Sequence, residues 1–174
     1  ANLTPATGNI VVEAGAVFRG GGDAVSSSNT FPSIPLIDPE TLEFEMNVDG
    51  CVASGGLGRP AILPQALAMM SQMTRAFPTA SFSGIGGVSD FGHALNYVML
   101  GCGTVQVCTA AMLDHAVGPN VIKRLLDGSS AFFEKHADRG WRMAGVRQIP
   151  RPPPHRNHER HGCGRRAPPG AGWL

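Results

Sequence analysis

"GIGGVSDFGHA" (residues 84–94) and "TVQVCTA" (104–110) decide how this chain is read. The first is the end of an apolar run, "SFSGIGG", that stops on two adjacent glycines. Ser89 or Asp90 then supplies a side-chain oxygen to cap a helix. Phe91, Ala94, Leu95, Val98 and Met99 follow at i, i+3, i+4, i+7 and i+8, one face of a helix closed by Gly101 and Gly103. "TVQVCTA" then reads as a second short strand. A strand, a crossover helix and a second strand make a βαβ unit, the building block of a parallel sheet.

The same alternation extends in both directions. "TGNIVVEAGAVFRGGG" places Ile10, Val11, Ala14, Val17 and Phe18 at helical spacing and stops on Gly20 to Gly22. "DAVSSSNT" reads as a strand, and residues 31–59 as a long irregular segment of the kind that carries function. Pro60 to Ala76 reads as a helix with proline in its first turn and Leu63, Leu67 and Met70 on its apolar face. "NVIKRLLDGSSAFFEKHAD" reads as a final amphipathic helix. The fold class expected is α/β. The strand endings Ser28-Asn29-Thr30, Gly84 to Gly87 and Cys108-Thr109 all fall at carboxyl ends of strands, where such folds place their sites.

Composition bounds the rest. The chain has 174 residues, 43% of them hydrophobic and 16% charged, with a net charge of +1. Residues 143–174 carry six arginines against Glu159, so the body before them is acidic at −4. An acidic body lacks the basic face that nucleic-acid binding needs. No apolar run reaches the roughly 18 residues of a membrane span, and no leader is evident. Cys51, Cys102, Cys108 and Cys163 form no C-x-x-C pair, which predicts reduced thiols, a cytoplasmic setting and no bound metal. Two units are expected: a folded domain over 1–142, and a tail over 143–174 that is either disordered or translated out of frame. The spacing of His155, His158, His161 and Cys163 in that tail reads as compositional accident rather than a metal site. His93 and His115 lie in helical contexts that predict structural or exposed positions.

The adjacent glycines raise the question of a ligand. At the end of a strand, Gly86 and Gly87 would leave backbone N–H groups open to an anion such as phosphate, and Thr109 could add a hydroxyl. The alternative is a tight strand-to-helix turn without a ligand, and the motif alone does not choose.

"LTP" (3–5), "SSNT" (27–30), "GG" and "AILPQAL" across 55–67, "FSGIGGV" (82–88) and "GCGTVQVCTAAM" (101–112) together resemble the flavin domain of dihydropyrimidine dehydrogenases, within the wider dihydroorotate dehydrogenase-like family. The resemblance covers about residues 1–140. It implies the C-terminal half of a (β/α)8 TIM barrel that binds FMN and reduces uracil or thymine to the 5,6-dihydro form in pyrimidine catabolism. By position, it implies that Ile85, Gly86, Gly87, Cys108 and Thr109 hold the FMN phosphate and that Asn29 and Thr30 bind the pyrimidine. The proton-donor cysteine of the family would lie before Ala1, so no catalytic residue is assigned here.

Two positions depart from the family pattern. Asn2 stands where the family has a lysine at the flavin, keeping a donor but losing a charge that favours reduced flavin. Arg59 stands where the family has a glycine against the cofactor; its side chain either fills the site or turns to solvent. Ala1 falls inside a strand end, so the chain reads as a piece of a larger enzyme, inactive alone. Its open sheet edges predict self-association. The resemblance also implies an NAD(P)H-oxidising iron–sulfur and flavin subunit, or missing segments, as the electron source. Alternative readings are a dihydroorotate dehydrogenase and a non-catalytic phosphate-binding half-barrel.

Overall fold

The computed structural model describes residues 1–52, 54–113 and 118–137. Asn9 opens the first helix, α1 (Ile10–Arg19), because its carboxamide oxygen accepts from the N–H groups of Val11 and Val12. Gly21 closes it at φ 86°, a conformation that glycine adopts without penalty. Strand β1 (Ala24–Ser27) follows, then β2 (Phe31–Ser33) and β3 (Gly55–Leu57). A turn of 3-10 helix at Pro60–Ile62 leads into α2 (Leu63–Ala76). Next come β4 (Ser81–Gly84), α3 (Phe91–Met99), β5 (Thr104–Val105), α4 (Thr109–Leu113) and α5 (Val121–Lys135).

The sheet order is β1-β4-β5, parallel throughout, with Ser27 opposite Gly84 and Gly84 opposite Val105. On the far side of β1 the chain start runs alongside it: Asn2 bridges Ser26 in parallel, and the Leu3 N–H donates to the Ser26 carbonyl at 2.9 Å. Four successive chain segments therefore lie side by side, with α1, α2 and α3 between them in sequence, the mixed α/β architecture that the alternation predicts.

The core lies between this sheet and α2. Ala66, Met70 and Met73 are fully buried at helical spacing and pack with Val25, Phe82 and Tyr97. Phe18 of α1 docks edge-on to Phe77 and Phe82, with ring centroids 5.3 and 5.8 Å apart. α5 lies against α3 through Phe91 and Phe132.

Three expectations change. β5 is only two residues long, because the chain leaves the sheet after the Gln106 N–H reaches the Gly84 carbonyl, and Thr109 already begins α4. The segment 31–59 is not irregular throughout: its ends pair as an antiparallel hairpin, Phe31 opposite Leu57 and Ser33 opposite Gly55. On α3 the fully buried residue is Tyr97, off the apolar stripe, while Phe91, Ala94, Leu95, Val98 and Met99 are half-buried. His115 and the tail with His155, His158, His161 and Cys163 lie outside the described residues. Among the described residues no helix is long and apolar enough to cross a membrane, and no group of three or more histidine, cysteine or acidic side chains could hold a metal.

Candidate active site

The loops at the carboxyl ends of β1, β4 and β5 enclose a cavity of about 400 Å3. That volume falls within the roughly 300–1,000 Å3 usual for small-molecule and cofactor sites. Asn29, Thr30, Arg59, Ile85, Gly86, Gly87, Cys108 and Thr109 all line it, so the three strand endings singled out in the sequence meet at one place. Asn2 does not line it. Its pairing with Ser26 holds it back along the strand, exposed and short of the cavity.

The Gly84–Gly87 turn is held from below. The buried Tyr97 hydroxyl donates to the carbonyls of Gly86 at 2.8 Å and Ile85 at 3.0 Å. The Ile85 carbonyl also accepts the Ser28 N–H at 2.7 Å, which ties the ends of β1 and β4 together. Burial, with the Cys102 thiol nearby, raises the Tyr97 pKa well above its ordinary range, so the phenol stays a donor. Burial also pushes the Cys102 thiol up to about 12.

Gly86 and Gly87 have φ of 117° and 74°, which side-chain-bearing residues rarely adopt. Their bareness has a reason other than room for a ligand. A Cβ on Gly87 would stand 2.7 Å from Leu63 Cβ and 2.9 Å from its backbone, and one on Gly86 3.0 Å from Ala66 Cβ. The glycines let α2 approach the turn. The N–H groups of Gly86, Gly87, Cys108 and Thr109 donate to no backbone acceptor among the described residues. Such unpaired donors around a cavity suit an anion.

Across the cavity, Asn29 Oδ1 accepts from the Thr30 N–H at 2.8 Å, which leaves the amide NH2 of Asn29 available to donate. Thr30 packs against Gly56 so closely that a Cβ there would overlap it. A Cβ on Gly58 would lie 3.1 Å from Thr109 Oγ1, so the segment leaving β3 passes beside that hydroxyl. Ser28 is 2% exposed, and its Oγ has no hydrogen-bond partner among the described residues.

Three lining residues, Gln106, Val121 and Arg124, are not singled out by the sequence, and Ser89, which the sequence offers only as a helix cap, lines the cavity with them. Ser89 Oγ lies 3.0 Å from His93 Nδ1, and Asp90 both caps α3 and approaches the same nitrogen at 3.2 Å. His93 is thereby engaged at the helix start and does not line the cavity, as its helical context predicts. Cys108 is exposed and carries a free thiol.

Over 133 residues, 76% of its length, the chain is 32% identical to the catalytic subunit of dihydroorotate dehydrogenase B (NAD+) from Petrotoga mobilis. It is 33% identical over 141 residues to the chloroplastic dihydropyrimidine dehydrogenase (NADP+) of Arabidopsis thaliana. The chain belongs to the dihydroorotate dehydrogenase-like family. A third family member, the NAD-dependent dihydropyrimidine dehydrogenase subunit PreA of Escherichia coli K12, is 32% identical over 146 residues. The chain spans only 41%, 32% and 33% of these three relatives. No family model matches it. Both branches of the family, oxidoreductases named for dihydroorotate and for dihydropyrimidines, are represented at nearly equal identity.

Proposed function

We propose that this chain is the FMN-site portion of a pyrimidine oxidoreductase that reduces uracil or thymine to the 5,6-dihydro form. The observation that carries the reading is the set of unpaired N–H groups at Gly86, Gly87, Cys108 and Thr109 around one cavity. The residues fit FMN: the N–H donors and the Thr109 hydroxyl suit its phosphate, and the unpartnered Ser28 hydroxyl is a further group a bound ligand could satisfy.

Bound there, FMN would supply the hydride chemistry that interconverts a pyrimidine and its 5,6-dihydro form. The chain's own residues bind and orient. Asn29 NH2 donates to a ring carbonyl, while Thr30 Oγ1, whose hydroxyl donates to Asn29 Oδ1 at 3.5 Å, keeps lone pairs to accept beside it. Tyr97 keeps the Gly86 carbonyl turned into the fold. Val121, Ile62 and Val88 give the cavity apolar walls that exclude water. The proton donor to the ring and the route for electrons from NAD(P)H belong to segments or a subunit beyond this chain, which alone is expected to be inactive. The family's TIM barrel would be completed in the same way.

A second reading, a dihydroorotate dehydrogenase, is favoured by Arg59 and Arg124 on the cavity wall, since that substrate carries a carboxylate. The test is a titration of the full chain with FMN and with riboflavin, followed by flavin fluorescence. FMN is expected to bind at least about tenfold tighter, a difference of about 1.4 kcal/mol from the phosphate. Equal affinity, or none, overturns the proposal. Adding uracil or orotate to the loaded chain then separates the branches by which one perturbs the flavin spectrum.

A further inference from the structure

Arg59 has φ 66° and ψ −178°, a backbone region that is essentially reserved for glycine. No hydrogen bond or ion pair to a described residue holds its guanidinium, and the residue is exposed. Packing therefore does not explain why an arginine is kept in a strained conformation. The composition of the cavity wall does suggest a reason. Its charged residues are Arg59 and Arg124, with no aspartate or glutamate among the lining residues, although the body of the chain before the tail is acidic overall. A cavity walled by cations alone concentrates an anion. Arg59 also directly follows Gly58, the residue against Thr109 Oγ1, so it stands at the rim of the unpaired N–H groups.

We propose that Arg59 is a ligand-binding residue that selects a phosphate monoester, its guanidinium closing over the anion held by Gly86, Gly87 and Thr109. A guanidinium offers paired N–H donors that match two phosphate oxygens, whereas the backbone N–H groups alone supply no full charge. The strained backbone sets the side chain at that rim. This rests on the FMN reading above for the identity of the phosphate carrier, but the anion site itself does not.

The test compares the full wild-type chain with Arg59→Gly and Arg59→Gln. Binding of FMN, riboflavin and inorganic phosphate is measured beside thermal unfolding. Arg59→Gly is expected to raise the midpoint of unfolding, because glycine relieves the strain, and to weaken FMN binding about tenfold or more while leaving riboflavin unchanged. Arg59→Gln is expected to lose the same FMN affinity with little change in midpoint. If Arg59→Gly binds FMN as tightly as wild type, or more tightly, the side chain is a bystander or an obstruction and the proposal fails. If wild type is stabilised by inorganic phosphate, and loses this in Arg59→Gly, but does not prefer FMN to riboflavin, the flavin reading fails and the anion site stands. If neither phosphate nor FMN binds, both fall.

Discussion

Replacing Tyr97 by phenylalanine removes one oxygen from the molecule and tests what holds the Gly84–Gly87 turn. The ring stays, so the packing against Gly84 is kept, and the phenol oxygen is lost from beneath the carbonyls of Ile85 and Gly86. The Ile85 carbonyl retains the Ser28 N–H as a partner. The Gly86 carbonyl retains none among the described residues. Leaving one buried acceptor unsatisfied costs about 1–3 kcal/mol, and the shared geometry of a single hydroxyl over two carbonyls places this case at about 1–2 kcal/mol. For a chain of this size, at about 2–4 °C per kcal/mol, that lowers the midpoint of thermal unfolding by roughly 2–8 °C. Urea unfolding at neutral pH gives the free energy directly, and the slope should not change because the exposed surface is the same. FMN affinity should fall as well, since the freed turn no longer fixes the N–H groups of Gly86 and Gly87. A variant as stable as wild type within about 0.3 kcal/mol would show that the hydroxyl does not anchor the turn, and the account of the site from below would be wrong.

Gly87→Ala is expected to destabilise the chain by about 2–4 kcal/mol, from a positive φ and a Cβ 2.9 Å from the Leu63 backbone, as measured by urea unfolding. Among the described cysteines, Cys51 and Cys108 should react with iodoacetamide in the native state at pH 8, and Cys102 only after unfolding, read by mass spectrometry of digested protein. The neutral Cys102 thiol is favoured by the fold, with its pKa raised from 9.0 to about 12. Its stabilising contribution is therefore complete below pH 9 and declines as pH rises from 9 towards 12, at up to about 1.4 kcal/mol per pH unit. Cys102→Ala should flatten that decline in a pH series of urea midpoints.

The order of elements was legible because the punctuation is local. Gly21 and Asp90 each act within one turn of the chain, so the stop and the start they mark survive folding, whereas the Asn9 cap is seen only in the structure. The length of β5 was not legible, because alternation in "TVQVCTA" does not reveal where the neighbouring strand ends; β4 stops at Gly84, and the pairing stops with it. The cavity wall was read through its glycines and the Asn-Thr pair, whose chemistry is distinctive. Arg124 was not, since Lys123, Arg124 and Asp127 are all charged positions of α5 and the sequence does not mark which of them lines the cavity. Tyr97 escaped for a related reason. Its partners are backbone carbonyls, which leave no trace in side-chain pattern. Asn2 was placed by its neighbours in sequence, but the register of a parallel pair is set by the sheet and holds it opposite Ser26.

The hairpin of β2 and β3 starts beside Thr30 and returns beside Gly58, with its rungs closed at Phe31–Leu57. Everything beyond those rungs hangs from a fixed clasp. Doubling the length of such an excursion costs only about 0.6 kcal/mol in closure entropy. Relatives can therefore lengthen or trim residues 34–54 freely while the two sides of the pocket keep their spacing. Variation in chain length within the family should accumulate at that outer arc and leave the clasp alone.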